Sequence, residues 1–100
     1  MEVTIKKDGN KQDVVLNGRI DTTNADQFQR DIECLMEGDK PEICIDCSGM
    51  EYTSSQGLRM FLVLQKSVMA RGGSLVLKGM QPQVKEVFDI TGFSSIINIQ

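Results

Sequence analysis

The chain is 100 residues long, the usual size of one domain and too short to build a second core. With 40% hydrophobic and 25% charged residues, it lacks the low-apolar, high-charge composition of a disordered chain. Its net charge of -3, with no basic run longer than Lys6-Lys7, argues against nucleic acid and anionic membrane as partners.

Val3 and Ile5 alternate with polar residues ahead of the turn cluster Lys7-Asp8-Gly9-Asn10, and Asp13 to Asn17 then resumes an apolar run. This predicts a hairpin whose second strand ends at Gly18. Thr22, Thr23 and Asn24 offer N-caps to a helix carrying Ala25, Phe28, Ile32, Leu35 and Met36, which Gly38, Asp39, Lys40 and Pro41 stop. Ile43 to Cys47 is nearly all apolar, as expected of a central strand covered on both faces, and Ser48-Gly49 closes it. A second helix starts near Ser54 or Ser55, with Leu58, Phe61, Leu62, Gln65, Val68 and Met69 on one stripe, and stops at Arg71-Gly72-Gly73. Ser74 to Leu77 is a fourth strand. Pro82 opens a third helix that turns Val84, Val87 and Phe88 inward and stops at Gly92, and Ile96, Ile97 and Ile99 form a last short strand.

The order β-β-α-β-α-β-α-β predicts one α/β domain over residues 1-100, with a mostly parallel mixed sheet and an antiparallel pair at the hairpin. Functional groups in such sheets gather at the carboxyl ends of the strands, which here singles out residues 18-21 and 49-57.

Conventional catalysis finds little support, because the chain has no histidine and so lacks the common general base, nucleophile activator and metal ligand. Its three cysteines include Cys44 and Cys47, but residues three apart on a strand point to opposite faces. Buried free thiols are therefore expected at Cys34, Cys44 and Cys47, with no metal and no cofactor. Met50, Met60, Met69 and Met80 are expected mostly in core or half-buried positions. The start of the chain has no basic n-region followed by an apolar stretch, and no run approaches the roughly 18 apolar residues of a spanning helix. A cytoplasmic, monomeric protein with no membrane insertion is expected.

Thr53, Ser54 and Ser55 bring consecutive hydroxyls into the second helix, ahead of Gln56 and Gly57. One serine at an N-cap accounts for part of this. Gly57 in the first helical turn costs about 1 kcal/mol against Ala, which suits a place where another backbone approaches closely. A hydroxyl here also sits where free N–H groups and the helix dipole favour added negative charge, such as a phosphate.

Three segments in order resemble the STAS family, and within it the bacterial anti-sigma factor antagonists. LNGRIDTTNADQF (16-28) is similar to that family's G-x-(L/I)-D and first helix. ICIDCSGMEYTSSQGLRMFL (43-62) is similar to its central strand, D-S-S-G-L loop and second helix. GGSLVLKGMQPQVKEVFDITGF (72-93) is similar to its next strand and the helix that follows. The resemblance implies phosphorylation at Ser55, two positions before the loop glycine, with Ser54 as second choice. It departs from the family pattern at Ser54, usually acidic, and at Gln56, usually a second hydroxyl.

Asp21 matches the acidic residue that helps form the family's partner surface; the alternative, local reading is a turn-forming Asp. Ser54, Gln56, Gly57 and Arg59 complete the expected surface. The implied partners are an anti-sigma factor of the histidine-kinase-like ATPase fold, which also phosphorylates the serine, and a metal-dependent serine phosphatase. The alternatives are an unphosphorylated STAS scaffold subunit of a transport or signalling assembly and direct nucleotide binding, for which no Walker-type loop is present.

Overall fold

The turn after Lys7 folds the chain back as expected: β1 (Glu2–Asp8) pairs antiparallel with β2 (Lys11–Ile20), Asp8 opposite Lys11, in the computed structural model, which describes residues 1-100. The remaining strands are β3 (Glu42–Thr53), β4 (Ser74–Lys78) and β5 (Asn98–Ile99), each parallel to its predecessor, so the sheet order is simply β1-β2-β3-β4-β5. Between them run α1 (Ala25–Ile32), α2 (Ser55–Ala70) and α3 (Pro82–Ile90).

β2 and β3 are longer than the sequence suggests. The predicted stops at Gly18 and at Ser48-Gly49 are bulge positions inside paired strands. Val15 pairs with Asp46 but Asn17 with Gly49, and Gly18 pairs with Met50 but Arg19 with Tyr52, so β3 gains one unmatched residue at each step. Gly18 has φ +109, a conformation that favours glycine, which lets β2 bend without ending. Each bulge also resets which side chains face inward on β3. The buried series runs Ile43, Ile45, Cys47, then Met50, then Thr53. The two regions expected to be loops are thus mostly strand, and they carry the sheet out to Ile20 and Thr53.

All three helices pack on one face of the sheet. A single cluster of 20 buried residues joins Val14, Leu16, Ile45, Leu75 and Leu77 to Phe28, Phe61 and Phe88. The opposite face, with Asp13, Val15, Cys44, Asp46, Val76 and Lys78, stays at least partly exposed, so β3 is not covered on both faces. Alternation explains this: Ile43, Ile45 and Cys47 turn inward while the small or charged Cys44 and Asp46 face out.

Smaller departures follow from packing. The first helix ends at Ile32 and tightens into a 3-10 turn over Glu33–Met36, buried through Leu35. Arg71, just past the end of α2, fixes that turn, its guanidinium donating to the Leu35 carbonyl at 2.8 Å and the Gly38 carbonyl at 3.3 Å. On α2 the buried stripe is Leu58, Phe61, Leu64 and Val68, so Leu64 takes the place given to Leu62, while Met69 is 49% exposed. Only Cys47 is fully buried; Cys34 and Cys44 are intermediate. Burial pushes the Cys47 thiol up to about 12, with Asp46 and Cys44 adding to the effect. Ile96 and Ile97 both stay outside the last strand, Ile96 exposed and Ile97 buried against the core.

Phe61 lies between Phe28 and Phe88, with ring centroids 5.6 Å away on each side, and so ties the three helices together. Phe61→Ala should cost about 3–5 kcal/mol. That is a large share of the roughly 5–15 kcal/mol that holds a domain folded. Urea unfolding monitored by circular dichroism checks this, and a loss below about 1 kcal/mol would contradict the assigned packing.

Candidate functional site

Beyond Ile20 and Thr53, β2 and β3 leave the sheet side by side, because the Ser54 N–H donates to the Ile20 carbonyl at 2.8 Å. This bond sets where α2 begins. Ser54 is its N-cap, with φ -83 and ψ 172, and its Oγ accepts the Gly57 N–H at 3.3 Å. The Ser54 carbonyl accepts the Leu58 N–H at 3.0 Å and the Thr53 hydroxyl at 3.2 Å. Ser54 is only 8% exposed, so this hydroxyl is both buried and occupied. Ser55, the next residue, is exposed at the first position of the helix.

Gly57 is buried where the first turn of α2 lies on the ends of β2 and β3. A Cβ there would run into the Thr53 hydroxyl and come within 2.9 Å of Ile20 Cγ2. The close neighbours are therefore side chains of this chain, and Gly57 supports the surface from beneath. Gln56 and Arg59 are exposed, and with Ser55 they line a depression of about 200 Å³. A second depression of about 180 Å³ joins Gln56 and Arg59 to Asp26 and Gln29 of α1.

Asp21 lies at the same end, one residue after Ile20. Its carboxylate accepts the Thr23 N–H at 2.9 Å and also the Thr23 hydroxyl. These bonds, the side-chain one first, hold the carboxyl below the usual carboxylate range. Asp21 thus has the turn geometry that was its alternative reading, and one face of its carboxylate is committed to it. Asn24 does not cap α1 with its side chain. Its amide instead bridges the turn, accepting the Asp21 N–H at 2.9 Å and donating to the Arg19 carbonyl at 2.8 Å.

The structure therefore brings Asp21, Ser54, Ser55, Gln56 and Arg59 to one end of the sheet, with Gly57 below them. Sequence reasoning missed the parts played by Thr53 and Asn24, and the pair Arg19 and Tyr52. On the outer face at this end, the Arg19 guanidinium lies 4.9 Å from the Tyr52 ring centroid, and Tyr52 is 43% exposed. The two stand opposite one another only because of the second bulge, which no local motif announces.

The chain matches the STAS domain family over residues 3-100 and belongs to it. The anti-sigma-B factor antagonist of Bacillus subtilis is 33% identical over 100 residues, covering 99% of this chain and 90% of that protein. BtrV of Bordetella bronchiseptica is 31% identical over 99% of this chain and 85% of its own length. Among solved structures, an anti-sigma-factor antagonist (STAS) domain protein of Planctomyces limnophilus superposes with a TM-score of 0.86 at 16% identity, covering 98% of this chain and 87% of the other. The anti-sigma factor antagonist SpoIIAA in its unphosphorylated form gives 0.80 at 18% identity, covering 99% and 88%. These structures share the fold; no helix of this chain is long and apolar enough to cross a membrane.

Gly57→Ala separates packing from propensity. Helix propensity alone predicts a gain of about 1 kcal/mol. The steric clash with Thr53 and Ile20 predicts a loss of about 1–3 kcal/mol. Chemical denaturation decides the sign, and a stabilised variant would overturn the role given to Gly57.

Proposed function

We propose that this chain is an anti-sigma factor antagonist that works as a partner switch controlled at Ser55. The observation that carries this reading is the division between adjacent serines: Ser54 is spent on the cap, while Ser55 is exposed at the start of α2 in a depression it shares with Gln56 and Arg59. The similarity to anti-sigma-B factor antagonists supports the class of partner.

In this reading the unmodified chain binds an anti-sigma factor of the histidine-kinase-like ATPase fold, which then releases its sigma factor. The same partner or a related kinase transfers the γ-phosphoryl group of ATP. The Ser55 Oγ–P bond forms as the bond to ADP breaks, and the hydroxyl proton passes to a base on the kinase. A metal-dependent serine phosphatase reverses the step with water. The chain is ligand and substrate and has no catalytic role of its own.

The fold tolerates the phosphate because the first turn of α2 offers free N–H groups and the positive end of a helix dipole. The interface does not tolerate it. A surface fitted to a neutral hydroxyl must accept a charge of about -1.5 to -2. Like-charge and desolvation penalties of several kcal/mol follow. SpoIIAA, which shares the fold, has a structure in its phosphorylated form as well, with a TM-score of 0.74 to this chain.

The test uses the cognate kinase and radiolabelled ATP with Ser55→Ala, Ser55→Asp and Ser54→Ala. Label should be lost in Ser55→Ala and kept in Ser54→Ala. Ser55→Asp should bind the partner at least about tenfold more weakly than Ser55→Ala, a difference of about 1.4 kcal/mol. Label that persists in Ser55→Ala and disappears in Ser54→Ala would move the site by one residue. No label in any variant would favour an unphosphorylated scaffold subunit.

A further inference from the structure

We propose that Arg59 is the clamp for the phosphate on Ser55, its guanidinium pairing with the phosphate instead of with the partner when the serine is modified. This rests on the reading of Ser55 as the phosphoacceptor and assigns a residue to hold the modified state.

Ser55 opens α2 and Arg59 follows four residues later, so the two stand one above the other on the same face of the helix, about 5–6 Å apart at Cβ. Long side chains on a helix lean back toward its N-terminus, which directs the guanidinium at Ser55. The depression lined by Ser55, Gln56 and Arg59 measures about 200 Å³. One liquid water occupies about 30 Å³, so a phosphoryl group and its first waters fit there.

Arg59 is also uncommitted. The chain's one ion pair joins Lys85 to Asp89, so Arg59 gives up no partner by turning to a phosphate. It is the sole cation lining either depression at this end of the sheet, and Asp26 lines the second one with it. Asp26 opposes a further negative charge, and Arg59 is placed to offset it. A guanidinium meets a phosphate through two parallel N–H···O bonds, a geometry that a lysine ammonium cannot reproduce.

Two consequences follow. The modified protein presents the partner with a new phosphate and with an Arg59 that is already paired. A carboxylate at position 55 is shorter and carries a single charge, so Ser55→Asp engages Arg59 less fully and reproduces only part of the effect of phosphorylation.

The experiment places phosphoserine at position 55 by genetic encoding, so that no kinase is needed, and follows the phosphate by phosphorus NMR through a pH titration. It compares the otherwise native chain with Arg59→Lys and Arg59→Gln, all of which keep Asp21 and Asp26. A nearby cation favours the dianion, so the second phosphate pKa, ordinarily about 6, should lie about half a unit lower in the otherwise native chain than in Arg59→Gln, the size expected of an exposed ion pair. Arg59→Lys should fall between, and high salt should erase the differences. Equal values in all three, with circular dichroism showing intact folds, would overturn the clamp. Failure of cells to phosphorylate Ser55 is a separate outcome that overturns the switch itself, since the encoded phosphoserine reports on Arg59 either way.

Discussion

The bond from the Ser54 amide to the Ile20 carbonyl, 2.8 Å long, joins the ends of two parallel strands just where a helix begins. The rest of the site follows from it. It fixes Ser54 in the extended conformation of an N-cap and turns its hydroxyl to the Gly57 amide. The first turn of α2 then lies so close to Ile20 and Thr53 that a Cβ at position 57 would press on both side chains. Ser55 is left at the surface because its neighbour has taken the buried place.

Such a seat suits a protein whose signal is a change of surface. A phosphate on a residue that helped hold the helix would have to break a cap or enter the core. On Ser55 it would meet solvent, the free amides of the first turn and the Gln56 and Arg59 side chains that line the same depression. The turn from Asp21 to Asn24 is braced independently by the bonds of Asp21 to Thr23 and of Asn24 to Arg19 and Asp21, so the surface beside Ser55 is also held in place. The three phenylalanines behind it make α1, α2 and α3 one unit, so the site rests on a packed base.

The elements with strong local punctuation were legible in the sequence. The turn at Lys7 to Asn10, the stop at Arg71 to Gly73 and Pro82 at the head of α3 all stand where expected. The glycines inside β2 and β3 misled, because Gly18 and Gly49 look like strand ends and only the pairing of two bulged strands makes them continuous. The exposed outer face of the sheet was hidden for a related reason: Ile43, Cys44, Ile45, Asp46 and Cys47 read as a buried run until the alternation is assigned to two faces. At the site, residue types and order pointed to Thr53, Ser54 and Ser55 as a group. Which hydroxyl is buried depends on a bond to Ile20, more than thirty positions away in sequence, and no local pattern carries that.

Amide hydrogen exchange at Ser54, Gly57 and Leu58, compared between the unmodified chain and the chain with phosphoserine at position 55, tests the central claim most directly. The account predicts that all three amides stay protected to within about threefold while affinity for the anti-sigma factor falls, since a shift of less than about 0.7 kcal/mol leaves the seat intact. Loss of protection at these amides on phosphorylation would show that the switch works by loosening the start of α2, and would contradict a mechanism confined to the surface.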